Sequence, residues 1–378
     1  MRQRLRVGAV YVGAGLGPLG AGVVSPMLPQ IARSLGVSAH TVALSLTVYF
    51  VPFAALQLVS GTLGERWGRR RTVLGAYLVY VVASLAGGLA PTSSVFLAMR
   101  GLQGIANAFT SPLLLAGLAD IVRRERLSVS VGVFASCQAA GQSFAPLIGG
   151  VAGATSWRWG FLAVAAVAGL LALAPPPGEP RPGVEAPRFR PLVNGRMALL
   201  STAALASYVG AAALPFLVAL HAEEHLGLRP DVTGLALLGF GVAGLVFGVV
   251  FGLLLQRASA RWCGAAAAVV TSAFVASVGL AGSAVTLTVL WTLAGVGASL
   301  LNVALQNLTV RAVPDNRGGA LSAVSAFRFT GAALAPLAWL PFYRVHPSLA
   351  FAVAGASLLV AAVALPALRG IEGAQAGT

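Results

Sequence analysis

Long, unbroken apolar runs organise this chain. About twelve can be marked: 8–30, 42–62, 72–90, 94–118, 128–151, 159–174, 197–220, 232–255, 263–281, 284–308, 318–340 and 347–368. A helix that crosses a bilayer needs about 20 mostly apolar residues, and all but the short sixth run approach or exceed that length. A membrane β-strand would alternate apolar and polar positions over about ten residues. These runs are instead apolar on every side, as lipid-embedded helices are. The pattern predicts an all-α membrane protein of about twelve transmembrane helices.

Composition sharpens this reading. The chain is 57% hydrophobic and 9% charged, with a mean hydropathy of +0.86, whereas a soluble domain is about 25% charged. A water-soluble fold of this composition would have too little polar surface to cover itself. The N-terminus reads "MRQRLR" and then an apolar run from Val7 to about Ile31. That run is longer than the ~7–15 residues of a signal-peptide core, so it is expected to remain as the first span. The lipid bilayer is the expected surroundings, and the cell inner (plasma) membrane the expected location.

All 25 basic residues are Arg, and the net charge is +15. Such a balance suits nucleic acid where cations line a polar face beside stacking aromatics. Here they stand between apolar runs, and no nucleic-acid partner is expected. With the N-terminus placed inside, nineteen Arg fall in inner segments. Arg33, Arg158, Arg229 and Arg344 fall in outer ones, and Arg100 and Arg328 lie within spans. Positive residues favour the cytoplasmic side, so both termini are expected there.

Segment 175–196, "PPPGEPRPGVEAPRFRPLVNGR", is Pro-rich and charged, as extended linkers are. It divides the chain into an N-terminal six-helix half, 1–174, and a C-terminal six-helix half, 197–378. A shift of 190 residues lays "SFAPL" (143–147) on "ALAPL" (333–337), Gly141 on Gly331 and Gln138 on Arg328. Two pseudo-symmetric halves joined by a linker are the plan of a duplicated transporter.

Charge is concentrated in "SGTLGERWGRRRTVLG" (60–75). Its segment "GTLGERWGRR" resembles the loop 2–3 signature of the major facilitator superfamily, G-x-L-x-D-R-x-G-R-R/K. The match covers Gly61, Leu63, Arg66, Gly68, Arg69 and Arg70, with Glu65 where the family usually has Asp. The resemblance implies a conformational latch made of Gly61, Glu65, Arg66, Gly68, Arg69, Arg70 and a partner acid. Asp120, at the inner end of span four, is the expected partner of Arg69. Glu65 is expected to face the N-terminal end of the eleventh helix.

Two further resemblances lie in the first half. "RGLQGIANA" (100–108) is similar to the family's R-x-x-Q-G motif at Arg100, Gln103 and Gly104. On a helix, Arg100, Gln103, Asn107 and Ser111 share roughly one face, and a polar stripe in a span faces protein or a water-filled cavity. Arg100 is expected either to meet substrate or to donate to nearby carbonyls. "GVFASCQAAGQSFAPLIGG" (132–150) resembles the antiporter motif G-x8-G-x3-G-P-x2-G at Gly132, Gly141, Pro146 and Gly149, with Ala145 replacing a Gly. Gly141, Ala145 and Gly149 form a groove for close helix packing, Pro146 allows a kink, and Pro146 with the groove is expected to meet the second half near the outer side. The resemblance implies an exporter of the twelve-span drug:proton antiporter branch, with protons as coupling ion.

The ten acids are Glu65, Asp120, Glu125, Glu179, Glu185, Glu223, Glu224, Asp231, Asp315 and Glu372, and none falls clearly mid-span. The proton carrier is therefore not visible in the sequence. Arg100 and Arg328 lie inside spans without an intramembrane carboxylate, and an unpaired cation beside a cavity favours an anionic or carbonyl-rich substrate. The expected substrate site is a central cavity lined by Tyr49, Arg100, Gln103, Asn107, Gln138, Tyr208 and Arg328. The alternative for Arg328 is donation to backbone carbonyls of a broken helix.

Cys137 and Cys263 have no metal or redox spacing and read as packing residues. His40, His221, His225 and His346 fall near expected helix ends. The i, i+4 spacing of His221 and His225 suits a metal if helical, but a wet loop is the expectation, and no metal or cofactor is assigned. The reading is a secondary active exporter of small molecules, working by alternating access, and not an enzyme: no span holds a His, Asp or Glu constellation and nothing reads as a nucleotide loop. An organic-anion carrier working by uptake or exchange is the alternative within transport, and a membrane-embedded sensor or enzyme the alternative outside it. A monomer is expected.

Overall fold

The computed structural model describes residues 2–122, 127–176, 178, 192–313 and 317–368. Of the linker expected at 175–196, residues 177 and 179–191 lie outside that set, as do Glu125, Glu179, Glu185, Asp315 and Glu372. The described residues are helical nearly throughout, in twelve successive rods.

The first six rods are α1 (Arg2–Gly22) with α2 (Leu28–Leu35), α3 (Ala39–Gln57) with α4 (Ser60–Trp67), α5 (Arg69–Gly88), α6 (Ser93–Ala108) with α7 (Ser111–Ile121), α8 (Leu127–Thr155) and α9 (Arg158–Ala172). The seventh is α10 (Gly195–Ser207) and α11 (Pro215–Leu220), interleaved with π-helical turns at Tyr208–Ala212 and His221–His225. The last five are α12 (Pro230–Arg257), α13 (Ala260–Val278), α14 (Ala284–Ala312), α15 (Arg317–Val345) and α16 (Pro347–Ser357) with α17 (Leu359–Ala364). Nine stretches among the described residues are long and apolar enough to cross a membrane, and α9 is shorter. The sequence expectation of about twelve helices, with the sixth short, matches these rods.

Local chemistry sets the ends. Ser38, Thr92, Asn194 and Ser283 each accept a backbone N–H at a helix start, satisfying a donor that has no partner within the helix. Gly68 separates α4 from α5 at φ 95°, a left-handed backbone that glycine adopts without a Cβ clash. In the seventh rod Pro215 has no N–H to give the preceding turn. The π turn just before it closes with the Ala213 N–H on the Tyr208 carbonyl at 2.9 Å.

The described structure divides into two compact units. Unit 1 comprises Met1–Pro187 with Arg229–Leu238, and unit 2 comprises Arg188–Leu228 with Gly239–Thr378. In unit 1, α1 packs along α8, α3 along α6, and α5 along α6 and α9. In unit 2, α13 packs on α14 and α16, and α10 on α15. Lipid supplies no hydrophobic drive between spans, so close packing depends on small residues. A side chain at Gly104 would run into the Tyr49 carbonyl, and one at Gly331 would crowd the Leu205 carbonyl and Tyr208. Large apolar side chains such as Val82, Leu173, Leu253 and Val363 stay exposed, as suits a surface meant for lipid.

Two expectations need correction. The Gly141–Ala145–Gly149 groove meets α1, where a Cβ at Gly141 would strike the Gly15 backbone and one at Gly149 the Val23 carbonyl. The small residues Gly15 and Gly22 let α1 approach that closely. The Pro146 carbonyl, with Gly150 and Gly153, does meet the second half, at Gly234 and Pro230 in the first turns of α12, which belong to unit 1. His221 is also not in a wet loop: the helix continues through it in a π turn, and its side chain is buried.

Candidate substrate-contacting and latch sites

In unit 1 the predicted polar stripe of α6 is drawn into a buried network. Arg100 donates from Nη1 to the Gly20 carbonyl at 2.8 Å and to Gln103 Oε1 at 2.6 Å. Gln103 Nε2 donates to Ser84 Oγ at 2.8 Å, and Ser84 donates to the Tyr80 carbonyl at 2.6 Å. The Arg100 guanidinium lies 4.5 Å over the Tyr49 ring. The Tyr49 hydroxyl donates to the Gly17 carbonyl at 3.1 Å and lies 3.2 Å from that of Tyr80. Arg100 is 1% exposed. It reaches no open surface in this conformation, and donation to a carbonyl is what the geometry displays.

The network depends on the glycines of α1. Side chains at Gly17 and Gly20 would collide with Asn107 and with the Tyr80 hydroxyl. One face of α1 thus admits polar tips from α5 and α6, while Gly15 and Gly22 serve α8. Asn107 is buried, and its Oδ1 accepts from Thr110 Oγ1 at 3.1 Å. Gln138 on α8 is half-buried and donates to Ser111 Oγ at 3.4 Å. Tyr80 and Ser84 were not among the sequence candidates. Their four-residue spacing in "YLVYVVAS" puts both on one face of span three, which is the signal available for them.

In unit 2 the structure brings Tyr208 and Arg328 together. Arg328 Nη2 donates to the Tyr208 hydroxyl, and its guanidinium lies 4.6 Å over the same ring. Tyr208 opens the first π turn, which is pinned by Trp339 Nε1 donating to the Val209 carbonyl at 2.7 Å. Arg328 is only half-buried, and its buried Nε has no hydrogen-bond partner among the described residues. A guanidinium bonded to a phenol keeps donors over, which suit a carboxylate or carbonyl.

The charged segment forms a compact cluster. Arg69 Nε donates to Glu65 Oε1 at 2.7 Å, and Nη1 donates to Asp120 Oδ2 at 2.7 Å. Arg69 is 1% exposed and Asp120 42%, so a buried cation is held by one carboxylate from its own side and one from α7. Gly61 lies against Pro112, with Gly68 at the turn. Arg66 and Arg70 are exposed, and the Arg70 N–H donates to the Gly178 carbonyl at 3.3 Å. On α8, Gly132 lies in the second turn, Pro146 is inside the helix, and Ala145 is fully buried against Gly22.

Comparison with known proteins agrees with this architecture. The Major Facilitator Superfamily model matches residues 10–202 and 199–377. The chain is 37% identical over 135 residues to a chloramphenicol resistance protein of Pseudomonas aeruginosa, covering 35% of this chain and 32% of that one. It is 28% identical over 176 residues to citrate exporter 1 of Aspergillus niger, covering 46% of this chain and 33% of that one. The aligned stretches thus span about a third of these relatives' own length. The crystal structure of a D-xylose-proton symporter superposes with a TM-score of 0.76 at 15% identity, over 95% of this chain and 96% of that one, a likeness of fold alone.

Proposed function

The chain belongs to the Major Facilitator Superfamily, and from that premise we propose that it exports small molecules, drugs among them, in exchange for protons by alternating access. It is a multi-pass membrane transporter and not an enzyme. Under this reading the halves 1–174 and 197–378 are joined by the linker 175–196, and the chain works as a monomer in the inner (plasma) membrane with both termini cytoplasmic. The observation that carries export is α8, whose Gly141, Ala145 and Gly149 seat it closely on α1 beside Pro146. The relatives named for chloramphenicol resistance and citrate export support the same direction.

Arg328 with Tyr208 is the proposed substrate contact of unit 2, and Gln138 that of unit 1. Tyr49, Arg100, Gln103 and Asn107 act behind it by fixing the polar face of α1. Glu65, Arg69 and Asp120, with Gly61, Arg66, Gly68 and Arg70, form the proposed conformational latch. A second reading, an organic-anion carrier, is favoured by one observation: among the described residues Arg328 hydrogen-bonds a phenol and no carboxylate.

Proteoliposomes with an imposed pH gradient separate the two. Export predicts that radiolabelled chloramphenicol moves against its gradient when protons run the other way, and stops when the gradient is collapsed. Movement of citrate alone, indifferent to the pH gradient, would replace the first reading with the second.

A further inference from the structure

Unit 2 holds a titratable cluster that neither the latch nor the proposed substrate contacts use. The seventh rod ends in the π turn His221–His225, "HAEEH". π turns are rare and frequent at functional sites. The first π turn of this rod carries Tyr208; the second carries two imidazoles.

The rings of His221 and His225 stack with centroids 5.3 Å apart and an interplanar angle of 26°. His221 is 5% exposed. Its Nε2 lies 3.3 Å from the Ala281 carbonyl, and a carbonyl only accepts, so Nε2 carries hydrogen. Nδ1 of the same ring is buried without a hydrogen-bond partner among the described residues, so a second proton there meets no described acceptor. His225 is exposed, and its Nδ1 lies 3.2 Å from the Tyr343 hydroxyl on α15. Glu224, in the same π turn, interacts electrostatically with the same hydroxyl, and Tyr343 is 8% exposed.

We propose that His225, Tyr343 and Glu224, with His221 stacked beside them, form a one-proton binding site at the end of the seventh rod. The proposal rests on the proton-exchange reading for its place in transport. Water delivers a proton to His225, and no other bond is made or broken outright. The Nδ1–H of the charged ring donates to the Tyr343 oxygen, and the Tyr343 hydrogen donates to the Glu224 carboxylate. The cation is thereby connected to an anion through a largely buried hydroxyl. The stacked His221 stays neutral, because two adjacent imidazolium charges repel and its Nδ1 meets no described acceptor. Histidine changes charge near neutral pH, as a coupling group must.

Glu223 lies in the same turn. On α15, Arg344 follows Tyr343 and is exposed. His346, at the start of α16, is engaged with Ser348 at 2.7 Å. α16 contributes the Phe351 ring, edge-on to His221, and the α13–α14 connection contributes the Ala281 carbonyl. The stacked imidazoles do not converge on one point, and no group of three metal-ligating side chains occurs among the described residues, so a proton is the ion that fits.

The test has two arms. In the first, the histidines of the full chain in lipid nanodiscs are labelled with nitrogen-15 and followed by NMR from pH 5 to 9. His225 is expected to take up one proton while His221 stays neutral, and Tyr343→Phe to lower the His225 midpoint by about half a unit or more. A His225 that stays neutral throughout, or a midpoint indifferent to Tyr343→Phe, overturns the site. In the second, His225→Gln in proteoliposomes is expected to lose about tenfold or more of pH-driven chloramphenicol export while keeping chloramphenicol exchange at equal pH. His346→Gln is expected to keep both. Full driven export in His225→Gln, or loss of exchange with it, overturns the site's role. If the unaltered protein shows no pH-driven transport, the proton-exchange reading fails instead, and the NMR titration still decides whether the cluster holds a proton.

Discussion

Arg100 in unit 1 and Arg328 in unit 2 make the same first contact. Each guanidinium lies over a tyrosine ring, at 4.5 and 4.6 Å, and among the described residues neither hydrogen-bonds a carboxylate. They differ in what completes the shell. Arg100 is sealed in and spends Nη1 on a carbonyl of α1 and an amide oxygen of its own helix. Arg328 is half-buried and bonded to a phenol alone. An Arg within a span costs about 2.5–3.5 kcal/mol on insertion scales. In unit 1 that cost is offset by ordering three helices around one cation. Both keep spare donors among the described residues, Nε and Nη2 of Arg100 and Nε of Arg328, but Arg100 is closed off whereas Arg328 is half-buried and open to a ligand.

The same substitution at both positions tests this difference, and gives the largest effect. Lys keeps the charge but loses the planar fork and is more strongly hydrated. Arg100→Lys leaves a buried charge with poorer partners and is expected to cost roughly 2–4 kcal/mol. Lower yield and a melting temperature reduced by several degrees in detergent would be the readout. Arg328→Lys should melt like the unaltered protein and keep part of its transport, and Arg328→Gln should abolish transport of anionic compounds such as citrate. An Arg100→Lys protein that melts normally but no longer transports would break the comparison, making Arg100 a ligand group as well.

Helix packing gives the next effect. Ala145 is fully buried against Gly22, and Leu there would force α8 off α1. Overpacking of this kind costs about 1–3 kcal/mol. Ala145→Leu is expected to impair transport and to lower the melting temperature less than Arg100→Lys does. Unchanged transport and melting would mean that α1 and α8 part more easily than their glycines suggest.

The spans were legible because lipid demands an apolar surface all round, and that demand is written residue by residue. The run at 159–174 became Arg158–Ala172, and that at 284–308 became Ala284–Ala312. The seventh rod was read five residues short, because "HAEEH" leaves the apolar pattern while its backbone keeps hydrogen bonding. Hydropathy reports side chains, and a π turn is a backbone event. Partner choice was equally hidden. The groove on α8 is visible as small residues, but so are Gly15 and Gly22 of α1 and Gly234 of α12, and spacing does not say which of them it meets. Tyr49, Gln103 and Arg100 were visible as polar residues in apolar spans. Their enclosure was not, because it depends on Gly17 and Gly20 of α1 admitting tyrosine and asparagine tips.

A third guanidinium sharpens the contrast at the smallest scale. Arg69 is as buried as Arg100, yet it is held by two carboxylates, Glu65 and Asp120. Asp120 is 42% exposed, so water screens its half of the interaction. Asp120→Asn removes one negative charge, while the amide oxygen can still accept from Arg69 and Glu65 remains in place. The expected loss is therefore small, about 0–1 kcal/mol, with little change in melting temperature. A latch nonetheless reads such an energy as a population. One kcal/mol differing between two conformers shifts their ratio about fivefold. Spin labels at Arg71, exposed beside the cluster but outside it, and at Arg311, one in each unit, report that ratio as a distance distribution in nanodiscs. Asp120→Asn is expected to move the distribution by up to that factor, and the shift should shrink at high salt. A distribution identical to that of the unaltered protein would leave the cluster as a local clasp between α5 and α7, with no part in switching.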